Sequence, residues 1–248
     1  MENLDFPLKV SIYFHYVREQ EFETILRIVN YFKKKGYEIA CPNTFVNSPT
    51  KKMLFLSFDD NYGSWIKLAE FLSLNLIYGT FYVNSGVILD FSTLDERINY
   101  FKRIRHNLKD QSVLTASDVI KIKKLGHNIG GHTSDHYPLT MITLKDSFNQ
   151  IISDKKRLEH IINENVIDFS FPFGMPKFFN NELKEYCLSI GYETIAKAVP
   201  CMLYKSEKDK CIINRTNWRF NESFEHNLNN LKINAQTFID VIGKSPIG

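Results

Sequence analysis

Two histidines stand four residues apart in the segment His132-Thr133-Ser134-Asp135-His136. On a helical turn, side chains at positions i and i+4 project from the same side, so the two imidazoles could chelate one cation. Each histidine alone could instead be a surface residue, or a core residue with its hydrogen bonds satisfied. The spacing, together with the glycine pair just before His132, favours a pair of metal ligands.

A pair of carboxylates, Asp59 and Asp60, follows the apolar run MLFLSF. Two adjacent carboxylates at the end of a buried strand are costly to bury unless a cation or hydrogen-bond donors accompany them. A helix N-cap or a turn is the alternative, because aspartate is common in both. With the two histidines, one aspartate would complete a two-histidine, one-carboxylate set that leaves coordination positions open for water and substrate.

A third cluster, Phe169-Ser170-Phe171-Pro172-Phe173-Gly174, is a predicted strand that runs into a Pro/Gly turn. By itself this cluster is a weak signal, and a plain turn that ends the strand is the favoured interpretation. All three clusters come directly after predicted strands. In α/β barrels the loops at the carboxyl ends of the strands build the active site, so the clusters are expected to meet there.

Strand and helix patterns alternate along the chain. Apolar runs predict strands at residues 10–14, 37–40, 53–58, 79–83, 127–131, 167–171 and 193–196. Helical spacing of apolar residues predicts helices at 21–35, 65–74, 146–163 and 181–190, and another that opens at Ser117. This alternation predicts one α/β domain over residues 1–248, with a mainly parallel sheet closed as a barrel.

Composition excludes several classes of protein. Of the 248 residues, 44% are hydrophobic and 24% charged, which is ordinary for a soluble globular protein. The 31 basic and 28 acidic residues are dispersed, so nucleic acid is not an expected partner. No window is apolar enough to predict a membrane span. A polar start and four cysteines without CxxC spacing predict a cytoplasmic protein.

Taken in order, the three clusters resemble the motifs of the polysaccharide deacetylase (NodB-homology) family, carbohydrate esterase family 4. Residues 57–60 (SFDD) resemble its TFDDG motif, with serine for threonine and Asn61 for glycine. Residues 132–136 match its H-[ST]-x-x-H motif, and residues 169–174 resemble the FAYPYG form of its third motif. The resemblance spans most of the chain.

The resemblance implies a distorted (β/α)-barrel of about seven strands. It also implies a metal-dependent hydrolase that removes N-acetyl groups from an amino sugar, in a polysaccharide or its glycan precursor. Asp60, His132 and His136 would bind one divalent metal ion, most commonly zinc. That ion would polarise the acetamide carbonyl and lower the pKa of water.

The resemblance assigns further roles around this ion. Asp59 would be the general base that takes the proton of the attacking water. A backbone N–H near Phe173 would help to stabilise the oxyanion. Pro172 and Phe173, in the third motif, would bind the N-acetylated sugar. The products would be a free sugar amine and acetate.

The third motif departs from the family at its first position. The family usually has an arginine there that pairs with the catalytic base, but this chain has Ser170. We predict that Arg215, in the segment NRTNW at 214–218, replaces it, and we count Arg215 among the substrate-binding residues. A solvated surface arginine is the alternative.

The general acid is the second departure. The family's last motif, Leu-x-His, supplies it near the C-terminus, where this chain has only His226 in a polar stretch. The first predicted strand instead ends in His15, in a YHxV-like segment similar to that of circularly permuted deacetylases of poly-N-acetylglucosamine. First and last strands are neighbours in a closed barrel, so this permutation would preserve the site. We predict that His15 is the general acid.

Two other functions are compatible with the sequence. One is an inactive barrel that binds sugar or scaffolds a glycan-assembly complex. The intact set of Asp59, Asp60, His132 and His136 argues against it, because a binding module needs no base beside the ligands. The other is a deformylase or amidase on a related substrate. The sequence does not choose among a lipid-linked sugar, a nucleotide sugar and a finished polymer, and it leaves the oligomeric state open.

Overall fold

Strands and helices alternate along the chain, as the apolar patterns predict. The computed structural model describes residues 6–107, 109–199 and 211–232. The strands are β1 (Lys9–Phe14), β2 (Glu38–Ile39), β3 (Met53–Asp60), β4 (Thr80–Val83), β5 (Asn128–Gly131), β6 (Asp168–Ser170), β7 (Thr194–Lys197), β8 (Ile212–Asn214) and β9 (Thr216–Asn217). The helices are α1 (Phe22–Lys34), α2 (Pro42–Asn47), α3 (Trp65–Leu74), α4 (Leu94–Arg103), α5 (Ala116–Lys124), α6 (Leu144–Ile162), α7 (Asn181–Ser189) and α8 (Phe224–Leu231).

The strands form a parallel barrel. Their order is β8-β7-β6-β5-β4-β3-β1-β9, with β2 beside the start of β3. Only Arg215 separates β8 from β9, and these two pair with β7 and β1 at the two ends of the order. One bent segment therefore closes the sheet. With β8 and β9 counted as one strand and the two-residue β2 set aside, the ring has seven strands. The predicted barrel of about seven strands is confirmed.

Side chains of β3 alternate between the outside and the inside of the barrel, as in any strand. One set, Leu54, Leu56 and Phe58, belongs to the main hydrophobic core. This core also includes the buried faces of the helices. The other set packs in a small second cluster: Met53 and Phe55, with Tyr82, Ala196 and Ile213. Ser57 and Asp59 continue this inner face towards the carboxyl end of β3. The barrel interior thus changes from apolar to polar where Asp59 stands.

Several elements differ from the sequence prediction. The structure adds α2, α4, α8 and the segment β8–β9, and it shortens the predicted strand at 37–40 to Glu38–Ile39. Helix α4 (LDERINYFKR) buries only Tyr100 and Phe101, so its apolar stripe is too thin to stand out in the sequence. In the described part of the chain, no helix is long and apolar enough to cross a membrane. A single domain over residues 1–248 stays a prediction.

Candidate metal centre

Asp60, His132 and His136 come together where β3 and β5 end. Asp60 Oδ1 lies 3.2 Å from His136 Nε2 and 3.6 Å from His132 Nε2. One ligand atom of each residue lies within 4.8 Å of the others, and all three residues are buried. Ligand atoms around a tetrahedral ion with bonds of about 2.0–2.1 Å are roughly 3.3 Å apart. The spacing therefore suits three ligands of one ion.

The electrostatics of the two histidine rings also suit a bound cation. The Nδ1–H of His132 donates to the Ser170 carbonyl at 2.6 Å, which leaves its Nε2 lone pair facing Asp60. Burial lowers the pKa of His136 to about 3, so its ring is neutral, as a ligand must be. Burial alone would lower the pKa of His132, but the nearby carboxylates of Asp60 and Asp59 outweigh it and raise that pKa. The cluster therefore attracts positive charge.

Asp60 Oδ1 is a buried carboxylate oxygen without a hydrogen-bond partner among the described residues, and His136 Nδ1 is likewise unpartnered. A carboxylate oxygen taken out of water without a compensating partner is costly. A divalent ion between Asp60 and the two imidazoles would supply that partner. The residues present fit a bound metal.

The segment from His132 to His136 is a loop, so the predicted helical turn is wrong. Thr133 and His136 have left-handed backbones, with φ of 68° and 59°. These bends bring the two histidine rings to 4.9 Å between centroids. Asn84 fixes the bend, because its side-chain amide donates to the carbonyls of His132 at 2.5 Å and Thr133 at 2.9 Å.

The two residues after Asp60 hold the end of β3 in place. Tyr62 donates its hydroxyl to Asp60 Oδ2 at 3.0 Å, which leaves Oδ1 facing the histidines. Asn61, which stands where the family has glycine, donates from its side chain to the Asn84 carbonyl at 3.1 Å. Its side-chain oxygen accepts from the Leu114 N–H at 2.9 Å. Sequence reasoning missed both roles, because neither residue type is specific to such a position.

Asp154 on α6 is another support that sequence reasoning missed. Its two carboxylate oxygens accept from the backbone N–H groups of His132 at 2.8 Å and Ser85 at 2.9 Å. Partners of this kind orient metal ligands in proteins. The sequence does carry a signal for it: Asp154 falls on the buried face of α6 between Ile151 and Leu158, where a carboxylate needs polar partners.

Asp59 is held by Arg215, inside the barrel. Two parallel bonds join them: Arg215 Nη1 to Asp59 Oδ1 at 2.6 Å, and Nη2 to Oδ2 at 2.7 Å. Arg215 also donates to the hydroxyls of Ser57 and Ser170, at 2.9 and 2.8 Å. Burial alone would raise the pKa of Asp59, but the charge of Arg215 outweighs it and holds that pKa below its usual value. Asp59 is therefore ionised at neutral pH.

The position of Arg215 corrects one part of its predicted role. Its side chain has no exposed surface and pairs with Asp59, while the cavity described below is lined by other residues. Its guanidinium lies over the rings of Tyr13 and Tyr82, at 4.8 and 5.2 Å from their centroids. Arg215 thus occupies the place expected for the missing motif arginine, next to Ser170. It is not placed to bind substrate, because Asp59 and the tyrosines surround it.

A cavity of about 620 Å³ opens over the candidate metal centre. Asp59, Asp60, His132 and His136 all line it, and so does His15, whose side chain is exposed just after β1. This volume lies within the range of roughly 300–1,000 Å³ that is typical of small-molecule sites. The cavity can therefore take a ligand that reaches both the histidine pair and His15.

The third motif contributes one predicted substrate contact to this cavity and not the other. Phe173 lines it, 37% exposed, and its ring lies 4.8 Å from that of His136. Pro172 is buried and is not among the lining residues. Since β6 ends at Ser170, Pro172 serves the turn that presents Phe173. The substrate-binding prediction for Pro172 therefore needs correction.

The two candidates for the general acid lie in different places. His15 faces the cavity, and its ring contacts that of Tyr13 at 5.3 Å between centroids. His226 is exposed in the first turn of α8 and does not line the cavity. Of these two residues, only His15 lines the cavity over the candidate metal centre.

Sequence comparison shows the family to which this barrel belongs. Residues 46–195 match the profile of the polysaccharide deacetylase family, and the chain belongs to this family of carbohydrate deacetylases. The matched residues include Asp59, Asp60, His132 and His136. His15 and Arg215 lie outside them. Among curated proteins, none matches the sequence significantly.

Solved structures of deacetylases share the fold. The Streptococcus pyogenes deacetylase PplD, in complex with acetate, is 16% identical, with a TM-score of 0.68 over 91% of this chain and 97% of that one. A de-N-acetylase from Aggregatibacter actinomycetemcomitans is 15% identical, with a TM-score of 0.67 over 90% and 99%. IcaB from Ammonifex degensii is 12% identical, with a TM-score of 0.66 over 86% and 92%. At these identities the likeness shows the fold alone.

Proposed function

We propose that the protein is a metal-dependent hydrolase that removes N-acetyl groups from an amino sugar in a polysaccharide or its glycan precursor. One observation carries this proposal. A carboxylate held by a buried arginine, Asp59, stands beside three buried metal-ligand side chains on the wall of one cavity. A barrel that only bound sugar would have no use for such a carboxylate.

The residues divide the chemistry among them. Asp60, His132 and His136 would hold the metal, and zinc suits this nitrogen and oxygen set. When bound, the metal would polarise the acetamide carbonyl and acidify water. Asp59 accepts a proton from the water that attacks the carbonyl carbon, and Arg215 keeps Asp59 ionised and oriented.

Completion of the reaction needs a proton on the leaving nitrogen. The C–N bond of the acetamide breaks as this nitrogen takes a proton, and acetate and a free sugar amine are released. We assign His15 as the donor, because it faces the cavity from the end of β1. Imidazole suits this role at neutral pH. A backbone N–H near Phe173 is the proposed donor to the oxyanion.

A screen for acetate release tests the proposed function. Full-length protein is incubated with N-acetylated mono- and oligosaccharides, and acetate is quantified. We expect acetate release from an N-acetylated amino sugar. The same sugar with a free amine is the control and should release none. If folded, metal-loaded protein binds the sugars without releasing acetate, the protein is a binding barrel. If formate or ammonia from a non-sugar amide is the product, it is a different amidase.

His15→Ala should lower kcat by about 10²-fold. This is the lower end of the effect of a positioned general acid, because His15 is exposed and water can replace it in part. Metal content, measured by mass spectrometry, should stay unchanged, since His15 is not one of the clustered ligands. His226→Ala is the matched control and should keep full activity. If the two variants behave alike, His15 is not the acid and the permutation argument fails.

Arg215→Gln should move the acidic limb of the rate profile to higher pH. Asp59 acts ionised, and the charge of Arg215 holds its pKa down against burial. Without that charge the pKa rises, so Asp59 becomes protonated, and activity is lost, at a higher pH than in the wild type. The measurement is kcat/KM across acidic and neutral pH, with exposed Arg219→Gln as the control. An unshifted limb would show that Arg215 does not tune the base.

Three further predictions stay predictions: a single domain over residues 1–248, a circular permutation relative to the family, and a cytoplasmic location. The first two agree with β1 lying between β3 and β9 in the barrel. Of the four cysteines, Cys41 and Cys187 are free thiols, and Cys201 lies outside the described residues.

A further inference from the structure

Part of the cavity wall is built by two segments outside the metal centre, and each carries an arginine. The loop after β1 brings Arg18 to the cavity, and the end of α4 brings Arg105. The two segments are joined, because the rings of Tyr16 and His106 lie 5.2 Å apart between centroids, edge to face. The two segments with their arginines therefore belong to one part of the cavity wall.

The charges that line the cavity are balanced, except for one. Asp59 is paired with Arg215. Arg18 is paired with Glu21, with its Nε donating at 2.9 Å. Arg105 is exposed, and no carboxylate of the described residues forms an ion pair with it. Outside the metal centre, the described cavity wall therefore has one uncompensated charge, and it is positive.

The backbone of Arg105 is unusual for its position. After α1, α5 and α7 the equivalent residues are Gly36, Gly126 and Gly191, with φ of 82°, 93° and 94°. Arg105 follows α4 with φ of 58° and makes the same backbone bond to the residue three positions earlier. A left-handed backbone is unfavourable for a residue with a Cβ, so glycine would be more stable there.

Strain alone assigns no role to Arg105, because exposed Leu76 after α3 has the same backbone conformation. What distinguishes Arg105 is that its unpaired charge faces the cavity. We infer that Arg105 forms a subsite for an anionic group carried by the acetylated substrate. A guanidinium binds a carboxylate or a phosphate through two parallel hydrogen bonds.

This inference rests on the proposed function and narrows its substrate class. Two kinds of substrate carry such a group. A polymer can present the carboxylate of a uronic acid next to the N-acetylated sugar, and a glycan precursor can present the diphosphate of a nucleotide- or lipid-linked sugar. In both, the group that carries the anion is joined directly to the N-acetylated sugar, by a glycosidic or a glycosyl phosphate bond. The cavity of about 620 Å³ is larger than one sugar ring needs, so it has room for this second group.

The test is binding of unacetylated probes to the full-length protein by calorimetry. The probes are UDP-glucose for the diphosphate, a glucuronic-acid disaccharide for the carboxylate, and cellobiose as the neutral reference. Arg105→Gly should weaken binding of one anionic probe by about 10-fold or more, the size of a hydrogen bond to a charged group. Which probe responds identifies the source of the anion. Lys102→Gln, an exposed cation earlier on α4, is the matched control and should change nothing.

Arg105→Gly relieves the left-handed strain, so its melting temperature should not fall and weaker binding cannot be ascribed to unfolding. The inference is overturned if wild type and Arg105→Gly bind both anionic probes equally, or if cellobiose binding falls by the same factor. Because the probes carry no acetyl group, this result is independent of turnover. Acetate release from neutral sugars alone, with no effect of Arg105→Gly, would leave the proposed function standing without the subsite.

Discussion

Treatment with a chelator should lower the rate of acetate release by about 10³-fold or more. Asp60 Oδ1, His132 Nε2 and His136 Nε2 face one another at ligand spacing. A metal there contributes several kcal/mol of transition-state stabilisation, and each 1.36 kcal/mol is about tenfold in rate. The measurement is acetate release before and after dialysis, alongside metal content. One equivalent of the native metal should restore the rate, and a comparison of zinc with other divalent ions identifies it.

A matched pair of histidine variants separates this site from general loss of structure. His136→Gln should lose the metal and the activity together, because it removes one of the three clustered ligands. His160→Gln, at an exposed position near the end of α6, should keep both. Full activity in metal-free protein, or unchanged metal content in His136→Gln, would show that the metal proposal is wrong.

Asp59→Asn should lower kcat by about 10³–10⁴-fold while the metal stays bound. This is the upper part of the effect of a positioned general base, because Asp59 is buried and bulk water does not replace it readily. The variant also leaves Arg215 buried without its counter-charge, which should cost about 3 kcal/mol in the free energy of unfolding. Turnover, metal content and denaturant unfolding are measured on the same preparation.

A double variant separates the loss of the base from the loss of stability. Asp59→Asn with Arg215→Gln removes both charges, so the free energy of unfolding should recover in part. Its turnover should stay as low as that of Asp59→Asn, since no base is regained. If activity returns with stability, Asp59 acts through folding and not as the base. Substantial activity in Asp59→Asn itself would also remove it from the mechanism.

The barrel and the candidate metal-binding cluster could be predicted from the sequence because their signals are local. The run MLFLSF predicts a buried strand by itself, and Asp59 and Asp60 follow it directly. Alternation of strands and helices then predicts a parallel barrel, whose loops meet at one end. The two histidines of residues 132–136 needed only their spacing to be recognised, although the loop that joins them was taken for a helical turn.

What the sequence did not predict depends on contacts between distant residues. The closing segment β8–β9 has two short strands, one of three residues and one of two, and carries Arg215 between them, so no apolar run announces it. Arg215 could be named as a candidate but not distinguished from a surface arginine, because its pairing with Asp59 spans 156 residues. Asp154 was missed because backbone N–H groups, which have no sequence signature, are its partners.

The closure of the barrel has a consequence for the order in which the protein becomes active during folding. The candidate metal ligands come from β3 and from the loop after β5, which are joined through β4, the strand between them in sequence and in space. Arg215 instead reaches Asp59 only when β9 pairs with β1, which joins Ile12 to Thr216 across almost the whole chain. Contacts so distant along the chain form late. We therefore expect a partly folded chain to bind its metal before its base is oriented, so that hydrolysis begins only once the barrel has closed.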